Sequence, residues 1–220
     1  MTLISRYISE DYIIVAADKR VTSFDKVERN AISVDSAQKV FLGENYCIAI
    51  QGAARTTKSN YALRIKEFVN KNKKVSPPQL IENILSEFED ASTDLDVDEL
   101  NLIISGSDKG RLFSFFVDVK NSDAKESTED EMGLRFNAAA SSDDMLFRQA
   151  KIFIHQFFQA KKLLSGFKLD DLSQFDFSDI VDAFKSMYTR FGQNDDRYPY
   201  ISEKFELYVI HKGGKIRKIL

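Results

Sequence analysis

The sequence contains no tryptophan, one cysteine and two histidines among its 220 residues. Because Cys47 has no partner for an internal disulfide and stands in an apolar segment, we expect a buried thiol and a reducing compartment. His155 and His211 lie far apart in the sequence, with no metal-ligand spacing around them. A zinc site and a serine–histidine catalytic couple are therefore disfavoured, and we expect neither a metal nor another cofactor.

The chain also lacks the features that mark proteins of membranes, nucleic acids or nucleotides. No stretch approaches the roughly eighteen consecutive apolar residues of a membrane span, and the N-terminus has no basic segment followed by an apolar one. Lys plus Arg number 31 against 34 Asp plus Glu, so the net charge of −3 provides no basic field for nucleic acid. A glycine-rich phosphate loop is missing as well. We expect a soluble, cytoplasmic protein that binds no membrane and no nucleic acid.

Apolar residues are plentiful. They make up 43% of the sequence and include 18 Phe and 8 Tyr, which is typical of a globular protein with a well-filled core. A chain of 220 residues is long enough to bury such a core without disulfides or metals. We therefore expect a single domain that spans residues 1–220.

Apolar alternation bounded by turn residues predicts strands at the start, in the middle and at the end of the chain. Residues 20–36 are mixed and polar, and no element is predicted there. Residues 121–131 are polar and mostly acidic, which predicts a solvated loop. The predicted strands are 3–8, 12–18, 39–43, 46–50, 100–105, 111–119, 134–139, 205–210 and 215–219.

Apolar residues at helical spacing predict two helices after the first strands and two more before the last strands. Each helical pair needs an apolar surface to pack on, and the strands form at least two sheets that need covering. We therefore expect an α+β fold with its layers in the order α-β-β-α. The predicted apolar stripes are Tyr61, Ile65, Phe68 and Val69; Leu80, Ile81, Ile84, Leu85 and Phe88; Leu146, Phe147, Ala150, Ile154, Phe157 and Phe158; and Val181, Phe184, Met187 and Tyr188.

The residue with the most chemical potential is Thr2, which follows the initiator Met1 and precedes the first predicted strand. Removal of Met1, which a small second residue favours, gives Thr2 a free α-amine beside its own hydroxyl. An α-amine has a pKa of roughly 7.7–8.0, so it is able to accept the hydroxyl proton near neutral pH. Taken alone, Met-Thr is also an ordinary way for a protein to begin.

Other segments place Thr2 in a wider pattern. They are residues 15–22 at the end of the second strand, residues 38–40 at the start of the next hairpin, and the turn at residues 50–54. Together with Thr2 they resemble the proteasome family, which includes the 20S β and α subunits and the bacterial ring protease HslV. The predicted order of elements is similar to that family's fold as well. The resemblance implies the four-layer α-β-β-α sandwich of the N-terminal nucleophile hydrolase type.

The resemblance also implies roles for individual residues. Thr2 matches the nucleophile, Lys39 the lysine whose positive charge favours deprotonation of nearby groups, and Asp18 the aspartate that pairs with this lysine. Ser141 matches a serine that hydrogen-bonds near the threonine amine, although a helix N-cap explains it equally well. Asp18 and Lys39 are further apart in sequence than in the usual β subunit, so we expect a small outward insertion within residues 21–37.

The turn at Gln51 and Gly52 matches the backbone donors that stabilise the oxyanion in acyl transfer. Gln51 stands where active β subunits usually have the first of two glycines, and its side chain is expected to crowd the substrate. By position, Val21, Phe41 and Ala49 would line an apolar substrate pocket. The Asp and the Ser-Gly-Gly that the family carries before its last hairpin have no recognisable counterpart in residues 198–203.

These matches predict a threonine-type peptidase that cleaves peptide bonds through an acyl-enzyme on Thr2. Its expected partners are a peptide or protein substrate and further copies of the chain in a homo-oligomeric ring, with an ATPase or other regulator left open. Two alternatives stay open. Residues 18–23 read at least as much like an α subunit, which favours a structural ring subunit without activity. The same hydroxyl–amine pair also suits an amidase or transpeptidase.

Overall fold

The computed structural model describes residues 3–25, 30–52, 54–56, 58–95, 97–127, 133–138, 144–162, 176–193 and 201–220. Helices and antiparallel strands are both prominent in these ranges, so the α+β class is confirmed. The strands are β1 (Leu3–Ile8), β2 (Tyr12–Asp18), β3 (Val21–Asp25), β4 (Asn30–Val34), β5 (Val40–Leu42), β6 (Tyr46–Gly52), β7 (Leu100–Asp108), β8 (Arg111–Asp118), β9 (Asp123–Glu126), β10 (Gly133–Ala138), β11 (Phe205–His211) and β12 (Ile216–Lys218). The α-helices are α1 (Tyr61–Lys71), α2 (Pro77–Glu87), α3 (Asp144–Lys162) and α4 (Phe177–Gly192), and a 3₁₀ turn spans Glu89–Ser92.

Antiparallel pairing organises the strands into two five-stranded sheets and a separate hairpin of β3 and β4. The first sheet has the order β10-β1-β2-β11-β12, and the second has the order β5-β6-β7-β8-β9. In the first sheet Leu3 pairs with Ala138, and Ile4 pairs with Ala17. The start of β1 therefore lies at the same end of the sheet as the ends of β2 and β10.

Side-chain alternation sends each strand's residues to two different surfaces. On β1, Leu3 and Tyr7 belong to an apolar cluster with residues of α3 and α4. Ile4 and Ile8, on the opposite face of the strand, belong to a cluster that joins the first sheet to Val40 and other residues of the second sheet. A further cluster packs α1 and α2 against the second sheet. Because β1 is buried on both sides, its position is strongly constrained by packing.

Local sequence explains where the helices of the second sheet's cluster begin. The Asn60 side chain accepts a hydrogen bond from the Leu63 N–H at 3.1 Å and so caps α1. Pro77 occupies the first turn of α2, where its missing N–H is harmless. The predicted core positions Val181, Phe184, Met187 and Tyr188 of α4 are buried.

Two segments of polar sequence contain strands that were not predicted. Residues 20–36 hold the β3–β4 hairpin, in which Val21 pairs with Val34. Residues 121–131 contain β9, which pairs with β8 at the edge of the second sheet. Apolar alternation does not reveal an edge strand whose backbone pairs while its side chains stay partly exposed, as those of β9 do. The expected loop at residues 121–131 was therefore wrong for Asp123–Glu126.

The burial predicted for Cys47 is confirmed, since the residue is 0% exposed and lies in the apolar cluster between the two sheets. Burial raises the pKa of its thiol to about 12, so Cys47 stays protonated and unreactive at neutral pH. Among the helices in the described ranges, none combines the length and the apolar character needed to cross a bilayer.

Candidate functional site

The candidate site contains a buried ion pair between Asp18 and Lys39. Asp18 ends β2 in the first sheet, and Lys39 directly precedes β5 in the second sheet. The Lys39 Nζ lies 3.1 Å from both carboxylate oxygens of Asp18. Their side chains are 0% and 3% exposed, so the pair lies in a low-dielectric environment where charges interact strongly. This contact agrees with the pairing of Asp18 and Lys39 that the sequence predicts.

The same carboxylate holds the start of the N-terminal strand. Asp18 accepts hydrogen bonds from the backbone N–H of Leu3 and of Arg20, each at 2.9 Å. The carbonyl oxygen of Leu3 in turn accepts a hydrogen bond of 3.1 Å from the Tyr188 hydroxyl on α4. Both backbone polar groups of Leu3, the residue bonded to Thr2, are therefore fixed by buried side chains.

Burial works against both charges of the pair. It lowers the pKa of Lys39 below that of an exposed lysine, while the negative charges of Asp18, Asp35 and Glu206 act in the opposite direction. It also raises the pKa of Asp18, against the effects of Lys39 and the two backbone donors. A lysine with a lowered pKa gives up its proton more readily than an exposed lysine, which suits a role in proton transfer.

A second carboxylate, Glu206 on β11, binds the backbone at Lys39 and was not predicted from the sequence. Its Oε1 accepts hydrogen bonds from the backbone N–H of Lys39 at 3.2 Å and of Val40 at 3.0 Å. The sequence does contain a pattern that could have identified Glu206. This residue lies between Phe205 and Leu207 in a strand that is otherwise apolar on both faces. A glutamate in such a strand is typical of a buried, hydrogen-bonded carboxylate.

Asp35, which follows β4, adds a third acidic group to this region. It forms an ion pair with Arg20 at 2.7 Å, and this contact holds the pKa of Asp35 below its usual range. Ser202 also hydrogen-bonds to Asp35. Ser202 is 0% exposed and lies in the segment where no counterpart of the family's residues is recognisable.

The turn at the end of β6 has the backbone geometry that glycine permits. Gly52 has a φ of +89°, and a Cβ placed on it would clash with the carbonyl oxygen of Glu99. Gln51 is buried, and its Nε2 donates a hydrogen bond of 3.0 Å to the Glu99 carboxylate. The Gln51 side chain therefore packs against Glu99 in this structure.

We expect Gly52→Ala to be clearly destabilising and Gly110→Ala to be a matched control. Both glycines have positive φ, +89° and +79°, but nothing lies within 4 Å of a Cβ at Gly110. Backbone strain is thus common to both variants, and the clash with Glu99 adds about 1–3 kcal/mol for Gly52→Ala alone. Urea unfolding of both variants measures this difference. Equal destabilisation would contradict the close approach at Gly52.

The remaining predicted site residues do not converge on one described surface. Phe41 packs in the cluster with α1 and α2, whereas Ala49 faces the other sheet. The structure thus does not bring Phe41 and Ala49 into one pocket. The backbone of Val21 lies in β3, and its side chain is outside the description. Thr2 and Ser141 lie outside the described residues.

No group of three or more His, Cys, Asp or Glu side chains in the described ranges is arranged to hold a metal ion. Comparison with protein-family models gives no match, and comparison with curated proteins gives none either.

Proposed function

We propose that this protein is a proteasome-like threonine-type peptidase whose nucleophile is Thr2 after removal of Met1. The observation that carries the proposal is the buried Asp18–Lys39 pair, because one of its carboxylate oxygens also binds the N–H of Leu3. A buried ion pair is weak evidence for stability alone. Here the ion pair joins the two sheets, and it also holds Leu3, the residue that follows Thr2 in the sequence.

The packing of the molecule supports the N-terminal nucleophile hydrolase fold. One apolar cluster joins α3 and α4 to the first sheet, a second joins α1 and α2 to the second sheet, and a third lies between the sheets. We infer from these clusters a four-layer sandwich in the order α-β-β-α. The β3–β4 hairpin lies in the segment between Asp18 and Lys39 where an insertion is expected.

In the proposed reaction the α-amine of Thr2 accepts the hydroxyl proton while the oxygen attacks the carbonyl carbon of a peptide bond. The resulting oxyanion is stabilised by backbone N–H groups at Gln51 and Gly52. The protonated amine then transfers its proton to the leaving nitrogen, the C–N bond breaks, and an ester with Thr2 is left. Water, deprotonated by the same amine, hydrolyses that ester and restores the hydroxyl.

Lys39 acts in this scheme through its charge. An ammonium close to the nucleophile favours its deprotonated state, and it also keeps the α-amine neutral and able to act as a base. Asp18 holds the lysine in place through two contacts of 3.1 Å. Burial lowers the pKa of Lys39, so the lysine is also able to take part in proton exchange.

The test is the intact mass of the purified protein before and after reaction with a β-lactone that acylates N-terminal threonine. We expect loss of Met1, one adduct per chain, and no adduct on Thr2→Ala. Thr93→Ala, at an exposed threonine, is the control and should react like the unmodified protein. Retained Met1 without an adduct would overturn the peptidase proposal and favour the structural ring subunit.

Two further experiments separate the remaining alternatives. Light scattering measures the mass of the assembly, and a monomer would contradict the homo-oligomeric ring that we propose. If an adduct forms, incubation with peptide substrates and an added amine shows whether water or the amine receives the acyl group. Hydrolysed peptide alone supports the peptidase, whereas an amide product supports a transpeptidase.

A further inference from the structure

Glu206 links the two sheets at the residue that carries the site's ammonium group. It belongs to β11 of the first sheet, while the backbone it binds begins β5 of the second sheet. Its side chain is 2% exposed. The Tyr208 hydroxyl donates to Oε2 at 3.0 Å, and the Lys218 Nζ lies 3.9 Å from the same oxygen. All four neighbouring groups are donors, which suits a carboxylate because it only accepts hydrogen bonds.

The backbone at the start of β5 needs such an acceptor. β5 is an edge strand of three residues, paired with β6, and an edge strand presents N–H groups that its own sheet does not satisfy. The consecutive N–H groups of Lys39 and Val40 converge on the single oxygen Oε1. Successive N–H groups that point to one place form an anion-binding concavity, and Glu206 fills it.

Lys39 is consequently held at three points. Its N–H binds Glu206, its carbonyl oxygen accepts a hydrogen bond of 2.9 Å from the N–H of Ile50, and its Nζ binds Asp18. The contact to Asp18 alone would leave the long lysine side chain anchored only at its tip. Fixing the backbone as well sets the point from which the side chain extends.

We propose that Glu206 is a positioning residue for Lys39, holding the first residues of β5 so that the ammonium meets Asp18 and faces the N-terminal strand. The role of this positioning in catalysis rests on the proposed function of Thr2. The positioning itself is a property of the fold, and it is measurable whether or not the protein is a peptidase.

Glu206 also contributes charge to the site. Lys39 faces three carboxylates, Asp18 on β2, Asp35 after β4 and Glu206 on β11. Loss of one negative charge near an ammonium makes it easier to deprotonate. Burial, followed by the charge of Glu206, raises the pKa of Tyr208, so this phenol stays protonated as a donor. The other titratable groups that face Glu206 are Lys218 and the Cys47 thiol.

Two variants separate position from charge. Glu206→Gln keeps an oxygen that accepts the N–H groups of Lys39 and Val40 but removes the charge, whereas Glu206→Ala removes both. Glu203→Gln, at an exposed carboxylate three residues earlier in the chain, is the matched control. The first readout is the NMR titration of Lys39 in protein labelled with ¹³C-lysine, assigned with Lys39→Met. The second is the rate of β-lactone labelling as a function of pH.

We expect Glu206→Gln to label at close to the original maximal rate, with Lys39 titrating at lower pH. In Glu206→Ala the Lys39 signal should move to the position of a mobile lysine, and the maximal labelling rate should fall about tenfold or more, because misplacement of a catalytic group strongly slows reaction. Glu203→Gln should change neither readout. If Glu206→Ala does not fold, Glu206→Asp decides the question, because it keeps the charge but withdraws the accepting oxygen from the N–H groups of Lys39 and Val40 by one methylene.

A Lys39 signal that is the same in a folded Glu206→Ala and in the original protein would overturn the proposal. Where Glu206→Ala does not fold, an unchanged Lys39 signal in Glu206→Asp would do so. If the original protein is not labelled at all, the function proposed for Thr2 fails, while the NMR titration still tests the role of Glu206. The two proposals therefore fail by different measurements.

Discussion

Replacing Lys39 by methionine is expected to lower the free energy of unfolding by about 3–5 kcal/mol, the usual effect of leaving one partner of a buried ion pair unpaired. The Asp18 side chain is 0% exposed, and its remaining partners would be the backbone N–H groups of Leu3 and Arg20. Urea unfolding at fixed pH measures the loss. The same variant should also react slowly with the β-lactone, since the proposed mechanism depends on the Lys39 ammonium.

The loss should depend on pH in a defined direction. Burial already raises the pKa of Asp18, and the charge of Lys39 opposes that rise, so Lys39→Met should raise the pKa further. A carboxyl whose pKa is higher in the folded than in the unfolded protein binds more protons when folded. The contribution of this carboxyl to the protein's stability is therefore greatest at low pH and declines as the pH rises through the pKa of the folded state. The loss of unfolding free energy in Lys39→Met should therefore be smaller at pH 5 than at pH 8.

An exposed ion pair in the same chain provides the control. Arg64 and Asp90 make two contacts of 2.8 and 2.9 Å, but the Asp90 side chain is 59% exposed. Asp90→Asn should therefore lower stability by only about 0.2–1 kcal/mol. The double variant Asp18→Asn, Lys39→Met removes both charges of the pair, so it should recover part of the loss. Equal losses for Asp90→Asn and Lys39→Met would contradict a buried pair.

Local sequence patterns were sufficient for most of the fold. The continuous apolar run of Tyr12–Asp18 is buried because both faces of this central strand are covered. The helical stripe with Ile65 and Phe68 packs where a 3.6-residue period places it. The β3–β4 hairpin and β9 were not predicted, because strands in polar segments pair through their backbone and show no clear pattern of apolar side chains. Their positions depend on neighbours that are distant in sequence or on turn conformation.

The candidate site was only partly accessible from sequence. Asp18 and Lys39 were singled out as a pair through resemblance, and their contact is seen in the structure. Glu206 was missed because its partner is the backbone of a strand 166 and 167 residues away, and such a contact depends on how two sheets stack. Phe41 and Ala49 were assigned to one surface, although the two strands that carry them send these side chains to opposite faces.

Tyr188 should be the other position at which a single change has a large effect. Its ring is fully buried on α4 and stacks on Phe205 at 4.8 Å. Tyr188→Ala should lower the free energy of unfolding by about 3–5 kcal/mol, as removal of a buried aromatic ring usually does. Urea unfolding, followed by far-UV circular dichroism, measures this change. A loss below 1 kcal/mol, on the order of an exposed substitution, would contradict the packing of α4 on the first sheet.

The hydroxyl of Tyr188 allows a sharper test of the link to Thr2. It contacts the carbonyl oxygens of Leu3 at 3.1 Å and Ala16 at 3.0 Å, and the Ser5 hydroxyl at 3.0 Å. Burial raises the pKa of Tyr188 well above its ordinary value, so the phenol stays protonated and donates. Tyr188→Phe removes the hydroxyl from these buried hydrogen-bond partners, and should lower stability by about 1–3 kcal/mol.

Tyr46→Phe is the matched control for this loss. Tyr46 is also 0% exposed, and its hydroxyl donates to the carbonyl oxygen of Asn72 at 2.6 Å, in the second sheet's cluster. Both variants should lose similar stability, but only Tyr188→Phe loosens Leu3 and should slow β-lactone labelling of Thr2. Equal slowing would assign the effect to general destabilisation. Slowing by Tyr188→Phe alone would mean that the hydroxyl on α4 acts on the labelling reaction through Leu3, whose carbonyl oxygen it contacts.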